Sequence, residues 1–335
     1  MVRRAPLRRL RKTMHNLRIL VVALAALLSV TPAAAHDLRL ALQATGTAKW
    51  ELAAMRALGL DKAHDLNLTV RDVTDSRAGQ IALQAGEADI ILSDFVWVSL
   101  QRHQGAAIAL VPHSLSVGGV MVGPKAGMIG ISQLKGKTIA VSGSPLDKSY
   151  VLLDAAYRAL MGSALVDHAN VRFGAPPLVN EMLLSGQAQA GLNLWNWNAR
   201  ARLAGMVELI SVPELLGYMG LEKTPPLLGW AFPTDAGNTD AIRAFLDASF
   251  ETKAALLTDD ALWQSIRPAM NDGGDDALFA ELRDGYRAGI VTSYGPADIE
   301  AAARFFALIA EAGGLDAVGG VETLAPGTFW EGYAK

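Results

Sequence analysis

The chain has 335 residues, of which 51% are hydrophobic, and its 33 acidic residues slightly outnumber its 30 basic ones. This length suits one large or two medium domains, and the charge lacks the basic footprint of nucleic-acid-binding proteins, so no nucleic-acid partner is expected. Cysteine is absent, which excludes disulfides, thiol nucleophiles and cysteine-bound metals.

The first 35 residues have the composition of a secretory signal peptide. They contain seven of the 30 basic residues, no acidic residue, an apolar run at 20–30 and three alanines at 33–35. The apolar run is too short to cross about 30 Å of hydrocarbon, so cleavage after Ala35 is predicted rather than membrane anchoring. Because a lipobox ends in cysteine, we predict a free periplasmic protein that is secreted through a cleaved signal peptide and is not a lipoprotein.

After the signal peptide, short apolar runs alternate with segments of helical period, which is typical of an α/β protein with largely parallel sheets. A first series of strands is predicted at 38–42, 66–70 and 90–92, with helices at 50–58 and 77–85. A second series has strands at 137–141, 171–173 and 190–193, with helices at 148–161 and 178–185. The last hundred residues are mostly helical: Asn238 or Thr239 caps a helix through 255, and Gly295 with Pro296 opens another through 312.

Two segments that stand one hundred residues apart resemble each other, namely 84–93 (QAGEADIILS) and 184–193 (LSGQAQAGLN). In each, a helix ends at a glycine, a strand follows, and polar and then aromatic residues come just after the strand. This repetition predicts two similar lobes that face each other. In open α/β sheets, ligands bind beyond the carboxyl ends of the strands, so a site between the lobes is expected.

Several short segments carry a family resemblance through their order and spacing over residues 38–235: 86–89 (GEAD), 118–122 (GGVMV), 131–141 (ISQLKGKTIAV), 142–144 (SGS) and 184–188 (LSGQA). In this region the chain resembles the type II periplasmic binding proteins, in the NMT1/THI5-like branch with receptors for sulfonates, taurine, nitrate and thiamine precursors. It departs from that pattern at Gln189, where relatives commonly have Asp, and at Trp197–Asn198, where an acidic residue and Pro are common. The ligand specificity of those relatives is therefore not transferred.

The resemblance implies a two-lobed α/β fold with parallel-type sheets flanked by helices and with two crossing segments, near 119–123 and 228–232. Residues 36–121 and 233–335 would form lobe one, and 122–232 would form lobe two. A small-molecule ligand would bind between the lobes and favour a closed form that the permease of an ABC transporter recognises. The expected protein is monomeric, is not an enzyme and has no cofactor.

The candidate ligand-binding residues are mostly polar side chains that directly follow predicted strands. Ser142 and Ser144 could hold an anionic or polar group at a helix N-terminus, although ordinary capping of that helix is the alternative. Ser93, Asp94 and Asn193 would lie at the mouth of the cleft. Thr45 and Ser116, in loops after strands, are weaker candidates.

Aromatic residues form a second set of candidates: Trp50, Trp195 and Trp230. Each either packs in a core or covers a ligand, and Trp195 is the best candidate for the second role. We expect ligand binding to close the lobes, so that Asn193 and Trp195 of one lobe meet Ser93 and Asp94 of the other across the cleft. An aromatic wall with the Asp94 carboxylate favours a cationic ligand, while an anion held by helix N-termini is the alternative.

The sequence offers no metal-binding or catalytic motif. The histidines lack ligand spacing, and neither a nucleophile elbow nor a phosphate-binding loop is present. Two other functions were weighed against solute transport. Pyrimidine synthases of the same fold depend on a cysteine-rich motif that this chain lacks, whereas a binding-fold partner of a periplasmic oxidoreductase or sensor kinase stays open.

Overall fold

The computed structural model describes residues 35–221, 223–314 and 318–333, so the predicted signal peptide lies outside the described residues except for Ala35. The strands are β1 (His36–Gln43), β2 (Leu66–Val73), β3 (Ile90–Asp94), β4 (Ile108–Ser114), β5 (Gly119–Val122), β6 (Thr138–Ser142), β7 (Asn170–Gly174), β8 (Ala190–Asn193), β9 (Val207–Ser211) and β10 (Leu228–Pro233). The helices are α1 (Ala48–Leu58), α2 (Leu60–Ala63), α3 (Ser76–Gln84), α4 (Phe95–His103), α5 (Lys148–Met161), α6 (Pro176–Leu184), α7 (Trp195–Leu203), α8 (Val212–Tyr218), α9 (Thr239–Thr258), α10 (Asp260–Ile266), α11 (Asp276–Ala288) and α12 (Pro296–Gly313).

The strands form two five-stranded sheets, with the orders β2-β1-β3-β10-β4 and β7-β6-β8-β5-β9. Each sheet is mixed rather than parallel throughout, because β10 is antiparallel to β3 and β4, and β5 is antiparallel to β8 and β9. Each reversed strand is the first one that the chain forms after it enters a sheet from the other lobe. The predicted α/β fold with two lobes is confirmed.

The two sheets match position by position, so that β3 and β8 occupy equivalent places. These are the strands of the two similar sequence segments. The helices before them end at residues 84 and 184, and Gly86 and Gly186 then turn the chain with φ of 68° and 77°. Only glycine adopts this left-handed conformation without strain, which explains why both copies keep it.

The crossing segments lie earlier in the chain than predicted. The four residues of β5 pair with β8 and β9, and those of β10 pair with β3 and β4, so both stretches are sheet strands rather than linkers. The chain passes to the second sheet at 115–118, and it returns to the first sheet between α8 and β10. The sequence prediction missed this because a short apolar run between glycines has no period that separates a strand from a linker.

Aspartates start several helices at the edge where the lobes face each other. Asp94 accepts a hydrogen bond from the backbone N–H of Trp97 at the start of α4, and Asp147 accepts two from the first turn of α5. An N-cap carboxylate satisfies amide groups that have no partner within the helix and favours the positive end of the helix dipole. The loop-to-helix junctions at this edge are thereby fixed.

The lobes pack against each other on two sides. Helix α12 contributes Phe305 and Phe306 to a buried cluster that contains Phe95 of the first lobe and Leu152 and Leu216 of the second. On the other side, α11 lies against α7. The C-terminal helices therefore contact the second lobe on both sides of the crossings. Among the described residues, no helix is both long enough and apolar enough to span a membrane.

Candidate binding cleft between the lobes

An ion pair joins the two lobes at the strand ends. Lys148, the first residue of α5, places Nζ 3.3 Å from Oδ1 of Asp94, the last residue of β3. The same carboxylate oxygen accepts the Trp97 N–H at 2.9 Å. Asp94 therefore lies in the cleft, where it was predicted, but its charge is already balanced by a cation of the opposite lobe. By itself it does not make the cleft negative.

The loop after β6 is held by its own hydrogen bonds. Asp147 Oδ1 accepts the N–H groups of Ser149 and Tyr150 at 3.0 and 3.3 Å, so an aspartate caps α5 and not a serine. Burial raises the pKa of Asp147, while Lys148 and these N–H groups lower it. Ser142 is buried at the strand end, and Ser144 is exposed, with its hydroxyl accepting from the Leu146 N–H at 3.3 Å.

Ser93 and Asn193, the matching residues of β3 and β8, are engaged inside their lobes. Ser93 is buried and accepts a hydrogen bond from Gln80 Nε2 at 3.1 Å. Asn193 is also buried; it donates to the Pro176 carbonyl at 2.9 Å and to Asn180 Oδ1 at 3.1 Å, and accepts the N–H of the next residue. Both side chains are thus buried and bonded to residues of their own lobes.

Trp195 instead meets aromatic residues of the first lobe. Its ring lies edge-on to Trp50 with 6.0 Å between centroids and 6.5 Å from Tyr286, and Trp263 completes this aromatic cluster. Trp50 is buried, whereas Trp195 is half-buried. Trp195 begins α7 and is turned toward α1 and α11. Its meeting with Asp94 on ligand binding stays a prediction.

Trp230 lies in the core of the first lobe, away from the cleft. It is fully buried, stacks on His113 at 4.8 Å, and donates from Nε1 to Ser249 Oγ at 3.1 Å. Trp230 therefore packs in a core rather than covering a ligand, and neither face of its ring is available to a bound molecule. Thr45 is exposed in the turn after β1.

A cavity of about 290 Å³ opens at the junction of the lobes, near the lower end of the usual range for small-molecule sites. The first crossing segment, α7, β9, the start of α8 and the C-terminal half of α11 contribute to its wall. Its lining residues come from both lobes: Leu115, Ser116, Val117, Gly118, Trp195, Asn198, Arg202, Glu208, Ser211, Pro213, Gly285, Ala288 and Gly289. Ser116 and Trp195 of the predicted set are among them.

Asn198 is the most unusual polar residue of this cavity. Its side chain is 1% exposed, and Nδ2 donates to the Gly119 carbonyl at 3.0 Å. That bond fixes the orientation of the amide and leaves Oδ1 buried without a hydrogen-bond partner among the described residues. A buried acceptor without a partner costs about 1–3 kcal/mol, so a donor from a bound molecule would relieve this cost.

Two charged residues line the cavity, Arg202 on α7 and Glu208 on β9. Arg202 Nε is 2.8 Å from Glu281 Oε1, and its Nη1 is 3.9 Å from Glu208 Oε2, so the guanidinium is held more closely by Glu281. Burial raises the pKa of Glu208; Arg202 lowers it and Glu214 raises it further. The lining thus has one carboxylate and one guanidinium, and the guanidinium also pairs with Glu281, which is not part of the lining.

Glycines in the crossing segment allow the parts of this cavity to approach closely. A Cβ atom on Gly118 would lie 1.6 Å from the Asn193 carbonyl oxygen, and one on Gly119 would lie 2.6 Å from Glu208 Oε1. Any other residue would push β5 away from its neighbours. The pair of glycines therefore brings the Asn198 amide and the Glu208 carboxylate to the same point of the backbone.

A second hollow, of about 370 Å³, lies on the outer side of the first lobe beside the Lys49–Asp72 ion pair. All of its lining residues belong to one lobe, so a molecule bound there would not link the lobes. Among the described residues, no cluster of three or more metal-ligating side chains occurs. The cavity at the junction is therefore the stronger candidate site.

Sequence reasoning missed Lys148, Glu208 and the glycines of α11, since they reach the cleft from separate parts of the chain. One local signal was available. Trp195, Asn198 and Arg202 are spaced i, i+3 and i+7, which places them on one face of a helix. A tryptophan, an amide and a guanidinium on one helix face, directly after a strand, indicate a polar site rather than a core.

Comparison with known families gives one match, to the model described as NMT1/THI5 like, over residues 54–258. Comparison of the sequence with curated proteins finds no match. The model match covers more than half of the chain and all of β2 to β10, and thus both sheets except for β1.

Solved structures with the same fold include sulfonate and nitrate receptors. The alkanesulfonate-binding protein SsuA from Xanthomonas axonopodis pv. citri, bound to MOPS, has a TM-score of 0.67 at 16% identity and covers 89% of this chain and 99% of its own. SsuA from Escherichia coli gives 0.67 at 15% identity, with 88% and 92% covered. The nitrate-binding protein NrtA from Synechocystis PCC 6803 gives 0.57 at 11%, with 75% and 69% covered. At these identities the likeness establishes the fold and not the ligand.

Proposed function

The chain belongs to the NMT1/THI5-like family, and from this premise we propose that it is a periplasmic solute-binding protein that delivers a small organic molecule to an ABC permease. The main support is the cavity at the junction, because its wall contains residues from both lobes. A molecule that contacts both lobes binds the closed arrangement better than an open one. Such differential binding is what a receptor needs in order to report its loaded state.

The chemistry of the cavity also suits binding better than catalysis. It offers an indole face, an amide, two hydroxyls and an ion pair. The Ser211 hydroxyl contacts the Glu214 carboxylate, but the two form the capping box of α8, which is a structural role. Sites for small molecules commonly combine aromatic walls with a few polar groups that orient the ligand. Export through a cleaved signal peptide belongs to the same proposal.

The test is a thermal-shift screen of small organic solutes, combined with mass spectrometry of any molecule that stays with protein purified under native conditions. A solute at one hundred times its dissociation constant should stabilise the folded protein by about 2.7 kcal/mol. Ala288, an exposed residue of α11 that lines the cavity, provides the blocking variant Ala288→Phe. The matched control is Ala277→Phe, on an exposed first-turn position of the same helix.

We expect Ala288→Phe to abolish the thermal shift and Ala277→Phe to retain it. If both variants respond like the wild type, the molecule binds elsewhere and the cavity is not the site. If no solute stabilises the wild type and none is carried through purification, the transport function is refuted in favour of a partner protein that uses the same fold.

A further inference from the structure

The polar groups of the cavity are mostly hydrogen-bond acceptors. Ser116 uses its one hydroxyl proton to donate to the Gly285 carbonyl at 3.2 Å, so it offers only lone pairs to a ligand. Asn198 Oδ1 is buried and unpartnered, as described above. The Glu208 carboxylate adds an acceptor that also carries charge. A ligand that fits these groups must therefore bring N–H or O–H donors.

The positions of these acceptors favour a ligand with one small chemical group that carries several hydrogen-bond donors. Asn198 donates to the carbonyl oxygen of Gly119, and a Cβ atom at Gly119 would be 2.6 Å from Glu208 Oε1. Both side chains therefore flank the same residue. An ammonium group has three donors and can bond to several acceptors at once.

The charges around the cavity also favour a cationic group. Arg202 is the one basic residue of the lining, and it is held at 2.8 Å by Glu281. Glu208 and Glu214 are close enough to each other to affect the pKa of Glu208, and Glu214 is bonded to Ser211. Two carboxylates, Glu281 and Glu208, lie within 3.9 Å of the one guanidinium, and Glu214 is near Glu208. The local charge is therefore negative, and an anionic headgroup would meet repulsion.

The Trp195 ring forms part of the same wall and is half-buried, so one part of it is accessible from the cavity. Cations bind favourably over tryptophan faces. On these grounds we propose that the solute carries a cationic amino group, held by Glu208, Asn198 Oδ1 and Ser116 Oγ beside the Trp195 ring. This inference rests on the proposed function and adds the chemical class of the ligand to it.

The experiment uses probe pairs with one carbon skeleton and different headgroups: butylammonium with butanesulfonate, and benzylammonium with phenylmethanesulfonate. Affinities are measured by calorimetry at one pH and one salt concentration, for the wild type, for Glu208→Gln and for Glu300→Gln. Glu300 is an exposed residue of α12 that pairs with Arg304, so its variant makes the same change in net charge away from the cavity.

We expect the amines to bind the wild type more tightly than their sulfonate partners do. Glu208→Gln should weaken amine binding about tenfold or more, because a charge-assisted hydrogen bond becomes a neutral one. Glu300→Gln should change it by less than about twofold, since exposed and distant charges are screened by salt.

Other results would overturn the proposal in distinguishable ways. If the sulfonates bind and Glu208→Gln strengthens them, the ligand is an anion, while the receptor function stands. If the amines bind Glu208→Gln as well as the wild type, their headgroup is not at Glu208. If all four probes fail while the solute screen finds a neutral ligand, the proposed charge is wrong; if the screen also finds nothing, the receptor function fails with it.

Discussion

Asp94 and Lys148 bring Oδ1 and Nζ to 3.3 Å across the cleft, each from a different lobe. The two side chains are 20% and 25% exposed, so water weakens their attraction and a net contribution of about 1 kcal/mol or less is expected. Because the pair exists only when the lobes are together, this free energy acts on the ratio of closed to open protein rather than on the folding of either lobe.

Lys148→Met should therefore shift the protein toward open forms without lowering the stability of its lobes. Asp94→Asn should do the same, since asparagine keeps a side-chain oxygen that can cap α4. Small-angle X-ray scattering of the unliganded protein should show a larger radius of gyration for both variants. The control is Lys125→Met, at an exposed position of the second lobe. Equal radii for all four proteins would show that the pair has no influence on closure.

Trp195→Ala should weaken solute binding by more than about 1 kcal/mol, the range of aromatic anchors in binding sites, and leave the fold intact. The residue is half-buried and lines the cavity, so its removal exposes the bound molecule to water. Trp230→Phe is the comparison, because Trp230 is a core residue. It should lower the melting temperature but leave the affinity of the folded protein unchanged. If Trp195→Ala lowered only the melting temperature and Trp230→Phe lowered only the affinity, Trp195 would be the core residue and Trp230 the ligand contact.

Gly118→Ala should destabilise the protein severely, by about 4 kcal/mol or more. Its new Cβ would lie 1.6 Å from the backbone oxygen of Asn193, which cannot rotate away as a side chain could. Gly123→Ala provides the control, because a Cβ at Gly123 has no atom within 4 Å, and a change within about 0.5 kcal/mol is expected. Urea unfolding of both variants measures the difference. A stable Gly118→Ala protein would mean that the crossing segment shifts easily.

His113 should make the free energy of unfolding depend on pH below about 6.5, the usual pKa of histidine. Burial, reinforced by the nearby Lys253 charge, lowers the pKa of His113 well below 6.5. As the pH falls from 6.5 toward this lowered pKa, His113 binds a proton in the unfolded chain but stays neutral in the folded protein. Stability therefore falls with pH in that window, by up to about 1.4 kcal/mol per pH unit.

Urea unfolding at pH 7.5, 6.5 and 5.5 tests this linkage. The loss of stability on acidification should be smaller in His113→Phe than in the wild type, since phenylalanine has no proton to bind. Burial also raises the pKa of Glu51, which acts in the opposite direction, but Glu51 is present in both proteins. His103→Gln, at an exposed position, should keep the slope of the wild type. An unchanged slope in His113→Phe would assign the pH dependence to other groups.

The sequence predicted local features of the fold well. The helix at 148–161 and the strand at 190–193 have the predicted limits, and α9 follows Asn238 as its cap. Each depends on residues close in sequence: a cap, a turn glycine or an apolar period. The strands β4, β5, β9 and β10 were not predicted. Each depends on pairing with other strands, and the local sequence pattern does not reveal which strands those are.

The candidate site was predictable only where a single element carries it. Asp94 lies in the cleft because it ends a strand, and Trp195 because it starts the following helix in the second lobe. Their partners, Lys148 and Tyr286, are distant in sequence and depend on how the lobes meet. Trp230 shows the opposite problem: it was expected in the second crossing segment, but it lies in β10, and its burial and its hydrogen bond to Ser249 place it in a core.

The position of β10 between β3 and β4 has a consequence for how the chain folds. The strands of the second sheet follow each other between residues 119 and 211, whereas the first sheet lacks an inner strand until residues 228–233 are available. A chain that becomes available from the N-terminus onward can thus complete the second lobe while β3 and β4 still have unpaired edges. Such edges bind other chains, and closing them requires a contact of long sequence separation, which is slow. The first lobe is therefore where an incompletely folded chain is most exposed to aggregation.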